Sequence, residues 1–120
     1  KKLDFEQISK AIEIIKQNTN FKSFCRTKTD VTSYECSIRN FQYEVKNSEV
    51  IFTISANRFL RNMVRAIIGT ILDVGLHKIS VEKLKDIIDK SDRIYAGPSV
   101  PAHGLFLTKV EYPENIFINE

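Results

Sequence analysis

The sequence predicts an α+β domain: an antiparallel or mixed β-sheet with helices packed on one face. Three observations carry this. Apolar residues follow a helical period in three segments, they alternate in two others, and the order along the chain is helix, strand, strand, helix, helix, strand. At 120 residues the chain has room for one domain with a single two-layer core.

The first helix is read over Leu3 to Lys16, where Leu3, Phe5, Ile8, Ala11, Ile12 and Ile15 form one stripe. Asp4 is its expected N-cap, with Gln7 at capping-box spacing, and Asn18, Thr19 and Asn20 end it. Phe21 to Val31 lacks periodicity and is expected to be a loop, with Lys22, Arg26 and Lys28 as a basic cluster. Ser33 to Val45 alternates, with a slip between Ile38 and Phe41 of the kind a β-bulge produces. Lys46-Asn47-Ser48-Glu49 is a turn, and alternation resumes from Val50 to Ala56, so the two strands form an antiparallel hairpin.

Next comes R-F-L-R-N-M-V-R-A-I-I-G-T-I-L-D-V-G, Arg58 to Gly75, expected as one apolar helix with Gly75 as a left-handed C-cap. Ser80 opens a further helix to Lys90, striped by Val81, Leu84, Ile87 and Ile88. Ser91 to Ala102 is expected to be loop, and Gly104 to Tyr112 a last strand stopped by Pro113.

Composition bounds the function. The chain is 42% apolar and 28% charged, and its net charge of +3 only hints at a polyanionic partner. No apolar run nears the roughly 20 residues of a membrane span, and no signal peptide opens the chain, so a cytoplasmic location is expected. The first residue is Lys, which suggests a piece of a longer protein. Cys25 and Cys36, like His77 and His103, lack the spacing of a zinc site, and reduced, partly buried thiols are expected.

The distribution of arginine is more telling, since three of the six fall between Arg58 and Arg65. On a continuous helix, at about 100° per residue, Arg58, Arg61, Asn62, Arg65 and Gly69 share roughly one third of the circumference. Three readings are open for that face. It is a solvated surface whose arginine stems cover apolar neighbours, a phosphate-binding row, or the home of an arginine paired to a functional carboxylate from elsewhere. Gly69 points to close approach of another backbone.

A-N-R-F-L-R-N-M-V-R-A-I-I-G-T-I-L-D-V-G resembles the helix motif of the TruA family of tRNA pseudouridine synthases. L-D-F-E-Q-I-S-K-A, N-F-K-S-F, S-Y-E-C-S-I and H-G-L-F-L-T-K-V-E-Y-P follow in family order, so the resemblance covers nearly the whole chain. It implies the C-terminal half of the pseudouridine synthase fold, in an isomerase that converts uridine to pseudouridine at nucleotides 38 to 40 of the tRNA anticodon stem-loop. It further implies a homodimer that uses no cofactor and no metal. The family's catalytic aspartate lies in an R-x-D-x-G-type motif of the N-terminal half, which this chain lacks, so the chain alone is expected to be inactive. Asp30, in R-T-K-T-D, has no following Gly and is read as a loop residue.

Position by position, the resemblance makes Arg65 the arginine that pairs with the catalytic aspartate, and places Gly104 and Leu105 in the wall of the uracil pocket. Arg58 and Arg61 are expected near RNA phosphates or at the domain junction, and Lys22, Arg26 and Lys28 as further tRNA contacts. The alternative class is a non-catalytic RNA-binding domain that lays the same arginines on phosphates.

Overall fold

In a computed structural model, the structure describes residues 3–25, 33–47, 49–60, 62–90 and 107–111, with backbone alone for Glu49 and 107–111. Helix α1 spans Phe5–Gln17, strand β1 Ile38–Lys46, strand β2 Glu49–Ala56, helix α2 Met63–Gly75, helix α3 Val81–Lys90 and strand β3 Leu107–Glu111. The element order is the expected one, with a short 3₁₀ turn at Lys22–Phe24 added.

The sheet is mixed, in the order β1-β2-β3. β1 and β2 pair antiparallel from Lys46↔Glu49 to Ile38↔Ala56, and the register slips between Ile38 and Asn40, where the broken alternation predicted a bulge. Asn47, at φ 52°, supplies the left-handed residue that a two-residue hairpin turn needs. β3 pairs parallel to β2, from Ile51↔Leu107 to Ser55↔Glu111. A parallel return requires a crossover, and the chain between the two strands provides one with α2 and α3.

One face of the sheet is covered. Val50, Phe52, Ile54 and Ala56 alternate inward along β2 and are buried, while Ile51, Thr53 and Ser55 are half-buried. Phe41 of β1 joins them, and Phe5 of α1 stacks on Tyr43 at 5.2 Å between ring centroids. Ile8, Ala11, Ile12 and Ile15 bury the predicted stripe of α1. Asp4 caps it as expected, its Oδ1 accepting from the amides of Glu6 at 3.1 Å and Gln7 at 3.2 Å. Ser80 caps α3 in the same way, accepting from the Lys83 amide at 3.0 Å.

Three expectations need correction. The polar stretch after α1 is not all loop surface, because Phe21, Ser23, Phe24 and Cys25 are buried. Within it, the Ser23 hydroxyl donates to the Ile87 carbonyl at 2.8 Å, satisfying an acceptor in the last turn of α3. Residues 26–32, 91–106 and 112–120 lie outside the described residues, so the expectations for that part of the loop, the later loop and the ends of the last strand are not addressed.

Gly75 is not left-handed; the residue with positive φ after α2 is His77, at 62°. The glycine answers a different demand. A Cβ there would lie 2.7 Å from Ile8 Cδ1 and 2.8 Å from its Cγ1. The Gly75 carbonyl also accepts from the Asp4 amide at 2.9 Å, so α1 and α2 touch backbone to backbone where Cβ is missing.

The third correction bears on function. The helix does not run from Arg58: it begins at Met63, after Asn62 at φ 67°. A left-handed residue cannot continue a right-handed helix, and the residues before it are held otherwise. Phe59 and Leu60 are buried in the core, the Leu60 amide donates to Met63 Sδ at 3.4 Å, and the Met63 amide donates to the Leu60 carbonyl at 3.0 Å. Apolar periodicity alone could not distinguish this buried turn from another turn of helix.

Candidate active-site half

α2 is the most enclosed element described. Every residue from Met63 to Gly75 is buried except Arg65 and Asp73. A helix apolar nearly all round belongs in a core. Thr70, the remaining polar side chain, satisfies its hydroxyl on the Ala66 carbonyl at 2.8 Å.

Arg65 is half-buried on the first turn. No acidic residue accompanies it there. Helix dipoles favour acids at this end, so a cation costs roughly 0.3–1 kcal/mol by that effect alone. Its guanidinium and the positive end of the helix add, and together they attract an anion. Among the charged residues of α2, Asp73 lies two turns further on.

The predicted row of arginines is therefore divided. Arg58 is on the connection between β2 and α2, where its Nη1 donates to the carbonyls of Ser33 and Glu35, both at 3.1 Å. Arg61, Arg26, Lys28, Gly104 and Leu105 lie outside the described residues. Lys22 is exposed on the 3₁₀ turn, with Nζ 5.6 Å from the Tyr34 ring centroid in a cation–π contact. Gly69 is buried.

Residues 33–37 form a strap between two other segments. On one side Glu35 bridges Asn20, the Phe21 amide donates to the Tyr34 carbonyl at 3.0 Å and the Cys36 amide to the Thr19 carbonyl at 2.9 Å. On the other, Asn57 takes both backbone groups of Ser37: its Oδ1 accepts at 2.7 Å and its amide donates at 3.0 Å. The sequence reading did not single out Asn57. Its one signal was a polar amide directly after an alternating run.

The strap also reaches α2. Cys36 Sγ lies 3.8 Å from Met63 Sδ, deep in the core. Burial pushes the Cys36 thiol up from 9.0 to about 11, partly opposed by the Arg58 charge. Cys25 and Cys36 are buried thiols that form no disulfide among the described residues, in keeping with the expectation of reduced thiols. Among the described residues no three His, Cys, Asp or Glu side chains gather as metal ligands would.

Two open grooves run between α1 and α3, lined by Ile14, Lys85 and their neighbours. Neither includes Arg58 or Arg65. Among the described residues no helix is long and apolar enough to cross a membrane.

Comparison with known proteins agrees with the motif reading. Residues 18–113 match the family model described as tRNA pseudouridine synthase. The chain is 44% identical over 121 residues to a tRNA pseudouridine synthase A of Bacteroides thetaiotaomicron, covering 98% of this chain and 45% of that protein. It is 42% identical over 116 residues to the one of Parabacteroides distasonis, covering 97% and 46%, and 40% identical over 113 residues to that of Syntrophomonas wolfei, covering 94% and 45%. The chain thus spans somewhat under half the length of the curated relatives it matches. A family match across most of the chain, together with relatives named tRNA pseudouridine synthase A at 40–44% identity, establishes that the chain belongs to the TruA family of tRNA pseudouridine synthases.

Proposed function

We propose that this chain is a single domain forming the arginine-bearing half of a tRNA pseudouridine synthase, and that it acts with an N-terminal half carrying the catalytic aspartate. The observation that carries the reading is Arg65, a cation on the first turn of a helix buried nearly all round. A guanidinium held there keeps a facing carboxylate ionised and fixes its orientation through two parallel N–H donors. Lysine would supply the charge without the fork.

The substrate is a uridine of the anticodon stem-loop, at nucleotides 38 to 40, turned out of its stack. The ionised carboxylate attacks the sugar or acts as a base. The bond from C1′ to N1 of uracil breaks, the base turns, a bond from C1′ to C5 forms (displacing the carboxylate where it had attacked C1′), the C5 proton leaves and N1 takes up a proton. The change is an isomerisation with no net oxidation, needing no cofactor and no metal. Gly104 and Leu105 line the uracil pocket. Arg61 lies by RNA phosphates or at the junction of the halves, and Lys22, Arg26 and Lys28 extend the tRNA surface. The full-length protein works as a cytoplasmic homodimer.

Release of tritium from tRNA labelled at uridine C5 tests this directly. The full-length protein is expected to release it and the 120-residue chain alone is not. No release by the full-length protein, together with salt-sensitive tRNA binding, would leave a non-catalytic RNA-binding domain instead. Equal release by the chain alone would overturn the division into halves.

A further inference from the structure

Several hydrogen bonds that the reaction chemistry does not itself require join the strap to the connection before α2, and one sulfur contact joins it to the first residue of α2. Arg58 Nη1 holds the carbonyls of Ser33 and Glu35, Asn57 holds Ser37, and Cys36 meets Met63. Met63 is the first residue of α2, and Arg65 follows two residues later. Asn62, just before Met63, adopts a left-handed conformation.

We propose that Arg58 is a positioning residue: by clamping residues 33–37 to the connection before α2, it fixes the first turn of α2 and the direction in which Arg65 presents its guanidinium. The proposal rests on the reading of Arg65 given above. It assigns Arg58 to the protein's own backbone rather than to RNA phosphate. Two carbonyls on one nitrogen suit this role, because a charged donor makes stronger bonds to neutral acceptors than a neutral one does. The geometry of a charge pair in an active site is sensitive, and a displacement of about 1 Å can cost 100-fold in rate.

The test compares Arg58→Ala and Arg58→Gln in the full-length protein, the second keeping an N–H donor without the charge. Expected for Arg58→Ala is a single-turnover rate at saturating tRNA lowered by about 10- to 100-fold. The tRNA Kd and its salt dependence stay as in the wild type, and Arg58→Gln recovers part of the rate. Amide exchange at Met63 and Ala66, which bond to the carbonyls of Leu60 and Asn62, rises in Arg58→Ala. An unchanged rate with a weaker Kd and a salt slope reduced by about one would make Arg58 a phosphate contact and overturn the proposal. So would unchanged amide exchange. Should Arg58→Ala fail to fold, Arg58→Gln decides by the same readouts. Should the wild type make no pseudouridine, the enzymatic reading fails, while amide exchange still judges the clamp.

Discussion

Cys36 and Met63 meet sulfur to sulfur at 3.8 Å, joining the strap before β1 to the first residue of the helix that carries Arg65. The contact links segments far apart in sequence and lies where Arg58 also acts on the strap. It makes the surroundings of Cys36 a probe of how well this corner is packed.

The Cys36 thiol favours its neutral form in the fold, so the folded state holds its proton more tightly than the unfolded chain does. Stability from this group is complete below pH 9.0 and is lost as pH rises toward about 11. Unfolding free energies of wild type and Cys36→Ala, measured across that range, should show the wild type losing an advantage the variant lacks. A difference that is constant with pH would contradict the buried, neutral thiol.

Gly75→Ala should destabilise the protein by about 1–3 kcal/mol, although alanine is the better helix former by about 1 kcal/mol. The new methyl meets Ile8, which is fully buried and cannot swing into solvent. Pairing it with Ile8→Ala removes the atoms in the way, so the double variant should cost less than the sum of the two. Additive denaturant-unfolding energies would show that the helices adjust freely at this crossing.

Ser23→Ala should cost about 1–3 kcal/mol, because it strands the buried Ile87 carbonyl. The loss is expected as a lower denaturant midpoint at unchanged m-value, together with faster amide exchange at the end of α3. A variant as stable as the wild type would mean that the carbonyl finds another donor.

Much of this fold could be read from the sequence, for reasons particular residues make plain. The stripe from Ile8 to Ile15, the caps Asp4 and Ser80, and the slip after Ile38 are local features, each set by neighbours within a few positions. What was missed depends on distant partners. The late start of α2 hides inside a helical apolar pattern because Phe59 and Leu60 are buried by the tertiary fold, while Asn62 takes a left-handed conformation. Gly75 looks like a C-cap until Ile8 is placed against it. Arg58 looks like a member of an arginine row until Ser33 and Glu35 arrive from another part of the chain. For the candidate site, Arg65 could be located from the motif, while the strap that surrounds its helix start required the structure.

The most direct test of the central claim is the single-turnover rate of pseudouridine formation by full-length Arg65→Ala, with folding checked by its unfolding midpoint. Arg65 is half-buried at the start of a well-packed helix, so its removal should leave the fold intact. The account predicts a loss of about 1000-fold or more at saturating tRNA, in the range seen when a preorganised charge partner is removed from an active site, with Arg65→Lys recovering little. A folded Arg65→Ala protein that forms pseudouridine at near wild-type rate would contradict it.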